Sequence, residues 1–189
     1  MQPTPSFLAS GTISNYSIQK RDFNFCYYYN MAINLELEDL YFADKKEREE
    51  FDEVDKGALN TLEKNDKTRL ARVKEILSEI DIEEIWNCHY LAYLFQHGET
   101  IEDYKNAHKY AKKAVDMGSN VTKWLYAATL DRWLVAQGKP QKYGTQFRQV
   151  NGKWELLPVD STITDEERVK YGVPPLSEAL QKFREKYSK

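Results

Sequence analysis

The sequence predicts a mainly α-helical single domain: a bundle of about five core helices with helical-hairpin, repeat-like packing, one β-hairpin near residues 146–157 and one or two C-terminal helices. Apolar residues recur at spacings of three and four, as on one face of an α-helix. Glycines follow three such segments, at Gly98, Gly118 and Gly138. An Asn-Gly pair separates two short segments further on, which is typical of a tight β-hairpin. The length of 189 residues suits one domain.

The first 33 residues differ in composition from the rest of the chain. They contain Pro, Ser, Thr and Asn with little charge, and they end near a Cys-Tyr-Tyr-Tyr run. They lack the basic start and the apolar stretch of a secretory signal. We therefore predict an N-terminal extension over residues 1–33, whose aromatic end docks on a mainly helical domain over residues 34–189.

Two amphipathic helices are predicted at the start of the domain. The first covers about residues 34–55, which are rich in the good helix formers Glu, Lys and Leu. Gly57 is expected to end it. The second helix follows over about residues 58–80, with apolar residues at helical spacing.

The third helix is predicted to be central, because residues 82–97 are apolar on nearly every side. Asp81 resembles an N-cap, with Glu84 three residues later as in a capping box. Thr100 and Asp103 form a second pair of this kind, and they are expected to open the fourth helix.

The fifth helix is expected to begin at Asn120 or Thr122 and to end before Gly138. Thr164 with Glu167 predicts a short helix near the C-terminus, and residues 177–187 follow a Pro-Pro pair as a last helix.

The Asn-Gly turn fixes the register of the predicted hairpin, because a two-residue type I′ turn leaves one way to align its strands. That register pairs Phe147 with Leu156, Arg148 with Glu155, Gln149 with Trp154 and Val150 with Lys153. It places apolar side chains on one face and an opposite-charge pair on the other, as a stable hairpin requires.

Composition and charge exclude several classes of function. The formal net charge is −3, and the basic residues near the hairpin are few and interrupted, so we expect no nucleic acid partner. No apolar run is long enough to span a bilayer, so no membrane association is expected. Two cysteines cannot form a disulfide framework and fit a reducing compartment, which predicts a cytoplasmic protein. No cofactor motif is present, and the oligomeric state is not indicated.

Polar residues inside apolar helical segments are the candidates for a functional site. His97 closes the most apolar helix, next to Gln96, where the helix dipole favours its protonated form. Asp131 and Arg132 lie together inside another apolar helix, and buried charges are costly unless they are paired. His108 lies on the charged side of the fourth helix and is expected to face solvent.

The loop over residues 138–146 is the second candidate, because loops between rigid elements often carry binding groups. Four of its polar side chains are clustered around a glycine: Gln141, Tyr143, Thr145 and Gln146. The loop has no phosphate-binding motif. An ordinary turn is the alternative interpretation.

Charged residues also interrupt the stripes of the first two helices, namely Asp44 with Arg48 and Asp66 with Arg69. Such pairs are common on helix surfaces, but these interrupt the side expected to face the core. His89 and His97 lie about 12 Å apart along one helix, too far to share a metal ion. We therefore predict no metal site.

Several of these residues together resemble a widespread, mainly bacterial family, domain of unknown function 6624. The likeness runs from about Leu35 to Leu176, and its blocks are Asp44-x-x-x-Arg48, Asp66, Gln96-His97, Asp131-Arg132 and Gln141-x-Tyr143-Gly144-Thr145-Gln146. The last block is the most specific. Gly98-Glu99 follow the histidine here, whereas a small residue and Asp commonly follow it in the family. The family has no assigned reaction, so the resemblance implies a set of residues and no mechanism.

The leading hypothesis is a small-molecule-binding protein, acting as a metal-independent acid/base hydrolase or lyase on a small polar ligand. Its catalytic residues are His97, oriented by Asp131 or Asp66, and Asp131 itself. Its ligand-binding residues are Asp44, Arg48, Asp66, Gln96, Arg132, Gln141, Tyr143, Thr145 and Gln146, with the two arginines binding an anionic group.

Another hypothesis is a helical-repeat-like module that binds a protein or peptide, in which the polar residues form a structural network. A structural or immunity-type partner protein is a third.

Overall fold

The structure is a computed structural model that describes residues 33–51, 56–150 and 153–187. The predicted extension over residues 1–33 lies outside these ranges except for its last residue. Within them the chain forms α1 (Leu35–Glu49), α2 (Lys56–Ile76), a 3-10 turn (Leu77–Glu79), α3 (Ile85–Phe95), α4 (Ile101–Asp116), α5 (Lys123–Ala136), β1 (Phe147–Val150), β2 (Lys153–Leu156), α6 (Asp165–Lys170) and α7 (Leu176–Tyr187). The predicted fold class, a mainly α-helical domain with one hairpin, is confirmed.

Helices α3, α4 and α5 pack successively against one another, and α1 and α2 pack on α3. Short loops join α3 to α4 and α4 to α5, which makes consecutive helices neighbours. Eight of the 11 residues of α3 are buried, so this apolar helix is central as predicted. The main core lies among these five helices, around residues such as Leu91, Phe95 and Val73.

The caps explain where several helices begin. Thr100 and Asp103 form the predicted reciprocal capping box at the start of α4. A side chain at Gly98 would lie 2.5 Å from Cβ of Asp103, so the chain requires glycine there. The predicted cap of α3 is wrong: Glu84, not Asp81, accepts from the backbone of the first turn. Asp81 instead accepts from Glu83 in the preceding turn.

The first two helices also differ from the prediction at their junction. Helix α1 ends at Glu49, earlier than expected, and residues 52–55 are outside the described ranges. Gly57 does not separate the helices, because it lies in the first turn of α2.

A second, smaller core joins α5, the loop that follows it and the C-terminal segment. It contains Ala127, Tyr143 and Val173. The strands pair in the predicted register. Phe147 stacks on Phe183 of α7 with 3.8 Å between ring centroids, which holds the hairpin on the domain.

None of the described helices has the length and apolar character required to cross a membrane.

Candidate functional site

An ion cluster lies where α1 packs on α2. Nε of Arg48 donates to Oδ1 of Asp44 at 2.7 Å, and its Nη2 donates to Oδ2 of Asp66 at 2.7 Å. Nη2 of Arg69 donates to Oδ1 of Asp66 at 2.7 Å, and its Nε lies 3.2 Å from Oδ2 of Asp44. All four carboxylate oxygens therefore contact a guanidinium group, which compensates the burial of these charges.

His97 joins this cluster from the turn that follows α3. Its Nδ1 lies 3.2 Å from Oδ2 of Asp44. The imidazole ring packs edge-on against Tyr93, with 5.1 Å between ring centroids. The side chain of His97 is 10% exposed. Sequence reasoning expected Asp131 or Asp66 to orient His97, but the hydrogen-bonding partner is Asp44. Nε2 forms no hydrogen bond with any residue in the described ranges, and it retains contact with solvent.

The protonation states follow from burial and from the neighbouring charges. Burial lowers the pKa of His97, and Arg48 lowers it further, although Asp44 acts in the opposite direction. Burial opposes ionisation of Asp44, but the charges of His97 and Arg48 hold the pKa of this carboxyl well below its ordinary value. At neutral pH we therefore assign a neutral His97 that donates from Nδ1 to ionised Asp44 and leaves Nε2 as an acceptor.

Asp44, Asp66 and His97 also have the composition of a metal site, since each offers a ligand atom and these atoms lie within 4.8 Å of one another. The guanidinium groups of Arg48 and Arg69 occupy the same carboxylate oxygens. A cation would have to displace two hydrogen-bonded positive charges and would be repelled by them. The donor set thus fits an ion-pair network better than a metal centre.

Asp131 organises the loop that follows α5. Its Oδ1 accepts from the backbone N–H groups of Lys142 and Tyr143 at 2.6 and 2.8 Å. Its Oδ2 accepts from the backbone N–H and the hydroxyl of Thr145 at 3.0 and 2.8 Å. Burial raises the pKa of Asp131, although these bonds favour its ionised form. The side chain is 0% exposed and bonds to the loop, not to His97.

The other polar residues of the loop are also engaged within it. Gln141 is fully buried, donates to the carbonyls of Gln146 and Leu157, and accepts from the Gln146 backbone. Tyr143 is fully buried, and its ring packs 5.2 Å from that of Tyr171. Most of the specific block thus builds the loop itself.

Arg168 supports this loop and was not among the predicted site residues. It is 1% exposed, its Nε donates to the carbonyl of Pro174 at 3.1 Å, and Asp165 lies 3.6 Å away. Its guanidinium lies so close to Gly144 that a Cβ there would approach Nη1 to 2.8 Å. The positive φ of Gly144, 73°, gives a second reason for glycine. Arg168 lies in a short polar segment, so nothing in the sequence indicated that its side chain would be buried.

Arg132 lies between the ion cluster and the loop. Its Nη1 donates to the carbonyl of Gln96, at the end of α3, and its Nε lies 3.4 Å from Oε1 of Gln146. Burial lowers the pKa of Arg132, and the charges of Arg48 and Asp66 are among the smaller influences on it. The polar residues therefore form two networks, one around His97 and one around Asp131, with Arg132 between them.

Two further residues lie near these networks. Arg69 was noted as a pair with Asp66 but was not among the predicted site residues; it completes the ion cluster. His108 was expected in solvent, but it is half-buried, with its ring 4.8 Å from that of Tyr126. Burial lowers the pKa of His108 to about 4.

An open cavity of about 500 Å³ lies beside the loop, lined in part by Lys139, Lys142 and Asp160. None of the predicted site residues lines it.

No family model matches the chain, and no match is found among the curated proteins or the solved structures. The resemblance to domain of unknown function 6624 remains a prediction, and function is inferred from the side chains.

Proposed function

We propose that the protein binds a small polar molecule beside His97 and carries out metal-independent acid/base chemistry on it, as a hydrolase or lyase. The observation that carries this proposal is the Asp44–His97 pair, with 3.2 Å between Oδ2 and Nδ1. A carboxylate that holds one imidazole nitrogen leaves the other oriented for proton transfer.

In this proposal Nε2 of His97 takes a proton from the ligand or from water, and ionised Asp44 stabilises the imidazolium that forms. The neutral state of the resting ring suits the role of base at pH 7. Asp131 acts as a positioning residue, because its carboxylate holds the loop and does not reach His97. The hydroxyls of Tyr93 and Tyr104 are further candidates for contacts to the ligand, since neither is hydrogen-bonded within the described ranges.

The test is a thermal-shift screen of a metabolite library on wild type and His97→Gln, followed by NMR assays for conversion of each stabilising compound. We expect a compound that wild type converts about 10²–10⁴ times faster than His97→Gln. His108→Gln is the matched control, because it removes a half-buried histidine outside the ion cluster. Equal conversion by His97→Gln, or ligands that bind and are never converted, would contradict the acid/base chemistry.

A second candidate function is a binding module for a protein or peptide, which one surface favours. Phe42 and Trp86 are 51% and 40% exposed, and their rings flank that of buried Tyr90 at centroid distances of 6.3 and 6.0 Å. Exposed aromatic residues anchor many interfaces. This candidate is tested by selecting displayed peptides on wild type and measuring their binding to Trp86→Ala and to the control Ile101→Ala. We expect the selected peptides to bind wild type and Ile101→Ala but not Trp86→Ala.

A further inference from the structure

Arg132 differs from the other arginines that are buried or half-buried in the described ranges. Arg48, Arg69 and Arg168 each lie within 4 Å of at least one carboxylate. Arg132 is half-buried and has no carboxylate within that distance in the described part of the chain. An arginine withdrawn from water without a counter-charge is costly, so its partner is expected to come from elsewhere.

The contacts of Arg132 leave part of its guanidinium free. Nη1 and Nε contact the neutral oxygens of Gln96 and Gln146, which accept hydrogen bonds but supply no negative charge. Nη2 has no hydrogen bond in the described ranges and is not sealed from solvent. A planar guanidinium held by two of its nitrogens and open at the third is oriented for an oxyanion.

We propose that Arg132 anchors an anionic ligand through a carboxylate or phosphate group, next to His97. This inference rests on the proposed function, because it names the ligand class of the same site. It also separates the two arginines that the sequence assigned to an anion. Arg48 has the carboxylates of Asp44 and Asp66 at 2.7 Å, whereas Arg132 has no carboxylate within 4 Å in the described ranges.

The position of Arg132 supports a role in ligand binding. Its donor contact is the carbonyl of the residue before His97, so Arg132 contacts the segment of chain that carries the histidine. Asp66 does not lie within 4 Å of Arg132 and bonds to Arg48 and Arg69 instead. The positive charge of Arg132 is therefore not paired with a carboxylate of the ion cluster.

Titration calorimetry with inorganic phosphate and with succinate, at constant ionic strength, tests the proposal. We expect saturable binding of at least one probe by wild type, and the stronger probe indicates a phosphate or a carboxylate ligand. Arg132→Gln should weaken this binding by about tenfold or more. Arg148→Gln removes an exposed arginine of β1 and should bind as wild type does.

Gln146→Glu provides a second test that does not truncate the arginine. Its new carboxylate would replace the oxygen that lies 3.4 Å from Nε of Arg132 and would neutralise the guanidinium from within the chain. We expect this variant to fold and to lose binding of the probe. Unchanged binding in both Arg132→Gln and Gln146→Glu, or no saturable binding of either probe by wild type, would overturn the proposal.

His97→Gln separates this inference from the proposed function. Because the imidazole is neutral, its loss should leave probe binding within about twofold of wild type. If the probe binds through Arg132 and no bound compound is ever converted, the anion site stands and the acid/base chemistry fails. If conversion requires His97 but neither Arg132→Gln nor Gln146→Glu alters ligand affinity, the anion site fails alone.

Discussion

Asp44 and His97 are 53 positions apart in the chain, and 3.2 Å separates Oδ2 of one from Nδ1 of the other. Asp44 comes from the third turn of α1, whereas His97 lies in the turn after α3. Arg48 and Arg69 hold the same carboxylate from α1 and α2. The electrostatic environment of the candidate base thus depends on three helices packed together.

Replacing Asp44 by Asn tests the ion cluster. The substitution leaves Arg48 and Arg69 with less negative charge in a buried site, and breaking a buried pair typically costs about 3–5 kcal/mol. Because Asp44 raises the pKa of His97, that pKa should also fall further below its ordinary value. Urea denaturation and NMR titration of the imidazole measure the two effects.

Asp39→Asn is the control for this variant, because Asp39 is exposed on the same helix. It should change stability by less than about 0.5 kcal/mol. A similarly small effect of Asp44→Asn would contradict the cluster.

Asp131→Asn should destabilise the protein by about 2–4 kcal/mol, because an amide cannot accept all four hydrogen bonds from the loop. Its NH₂ group would face backbone donors at one of the two positions. Urea denaturation measures the loss, and the exposed Asp116→Asn on α4 provides the comparison. Equal stability of the two variants would show that the carboxylate does not hold the loop.

Gly144→Ala and Gly138→Ala form a matched pair, since both glycines have a positive φ, 73° and 72°. Alanine costs about 1–2 kcal/mol at either position for its backbone conformation. At Gly138 the new methyl group meets open space, but at Gly144 it lies 2.8 Å from the buried Arg168 guanidinium. We expect Gly144→Ala to lower the free energy of unfolding by about 1–3 kcal/mol more than Gly138→Ala does, measured by thermal or urea unfolding. Equal losses would contradict the close packing of Arg168.

Acid should destabilise the protein through its buried histidines. Burial lowers the pKa of His89 to about 4, so between pH 6.5 and 4 the unfolded chain binds more protons than the folded one. The free energy of unfolding therefore has its full value above pH 6.5 and decreases as the pH falls, by about 1.4 kcal/mol per pH unit. Near pH 4 the total decrease is about 3 kcal/mol. Urea denaturation from pH 7 to 4.5 should show a smaller decrease for His89→Gln than for wild type. Parallel curves would contradict this assignment.

Local features of the fold could be predicted from the sequence because neighbouring residues determine them. The Asn-Gly pair in the sequence predicted the strand register, and Thr100 with Asp103 predicted the start of α4. The start of α3 was misplaced because Asp81 and Glu84 are both able to accept from backbone N–H groups. Which of them does so depends on where the chain turns to bring α3 against the core.

The candidate site was only partly predictable. The sequence identified His97, Asp44 and Asp131 as polar residues in apolar surroundings, but which of them meet depends on how the helices pack. Arg168 gave no signal, because its burial results from α6 packing on the loop. Long-range packing of this kind is not encoded in the spacing of neighbouring residues.

The aspartate that bonds to His97 belongs to α1, and this has a consequence for partial unfolding. Helices α3, α4 and α5 pack on one another, whereas α1 packs on α2 and α3. If α1 detaches before the rest melts, His97 loses its aspartate while the helix before it stays folded. The NMR resonance of its imidazole would then report the opening of the N-terminal helix as a separate, earlier step than global denaturation.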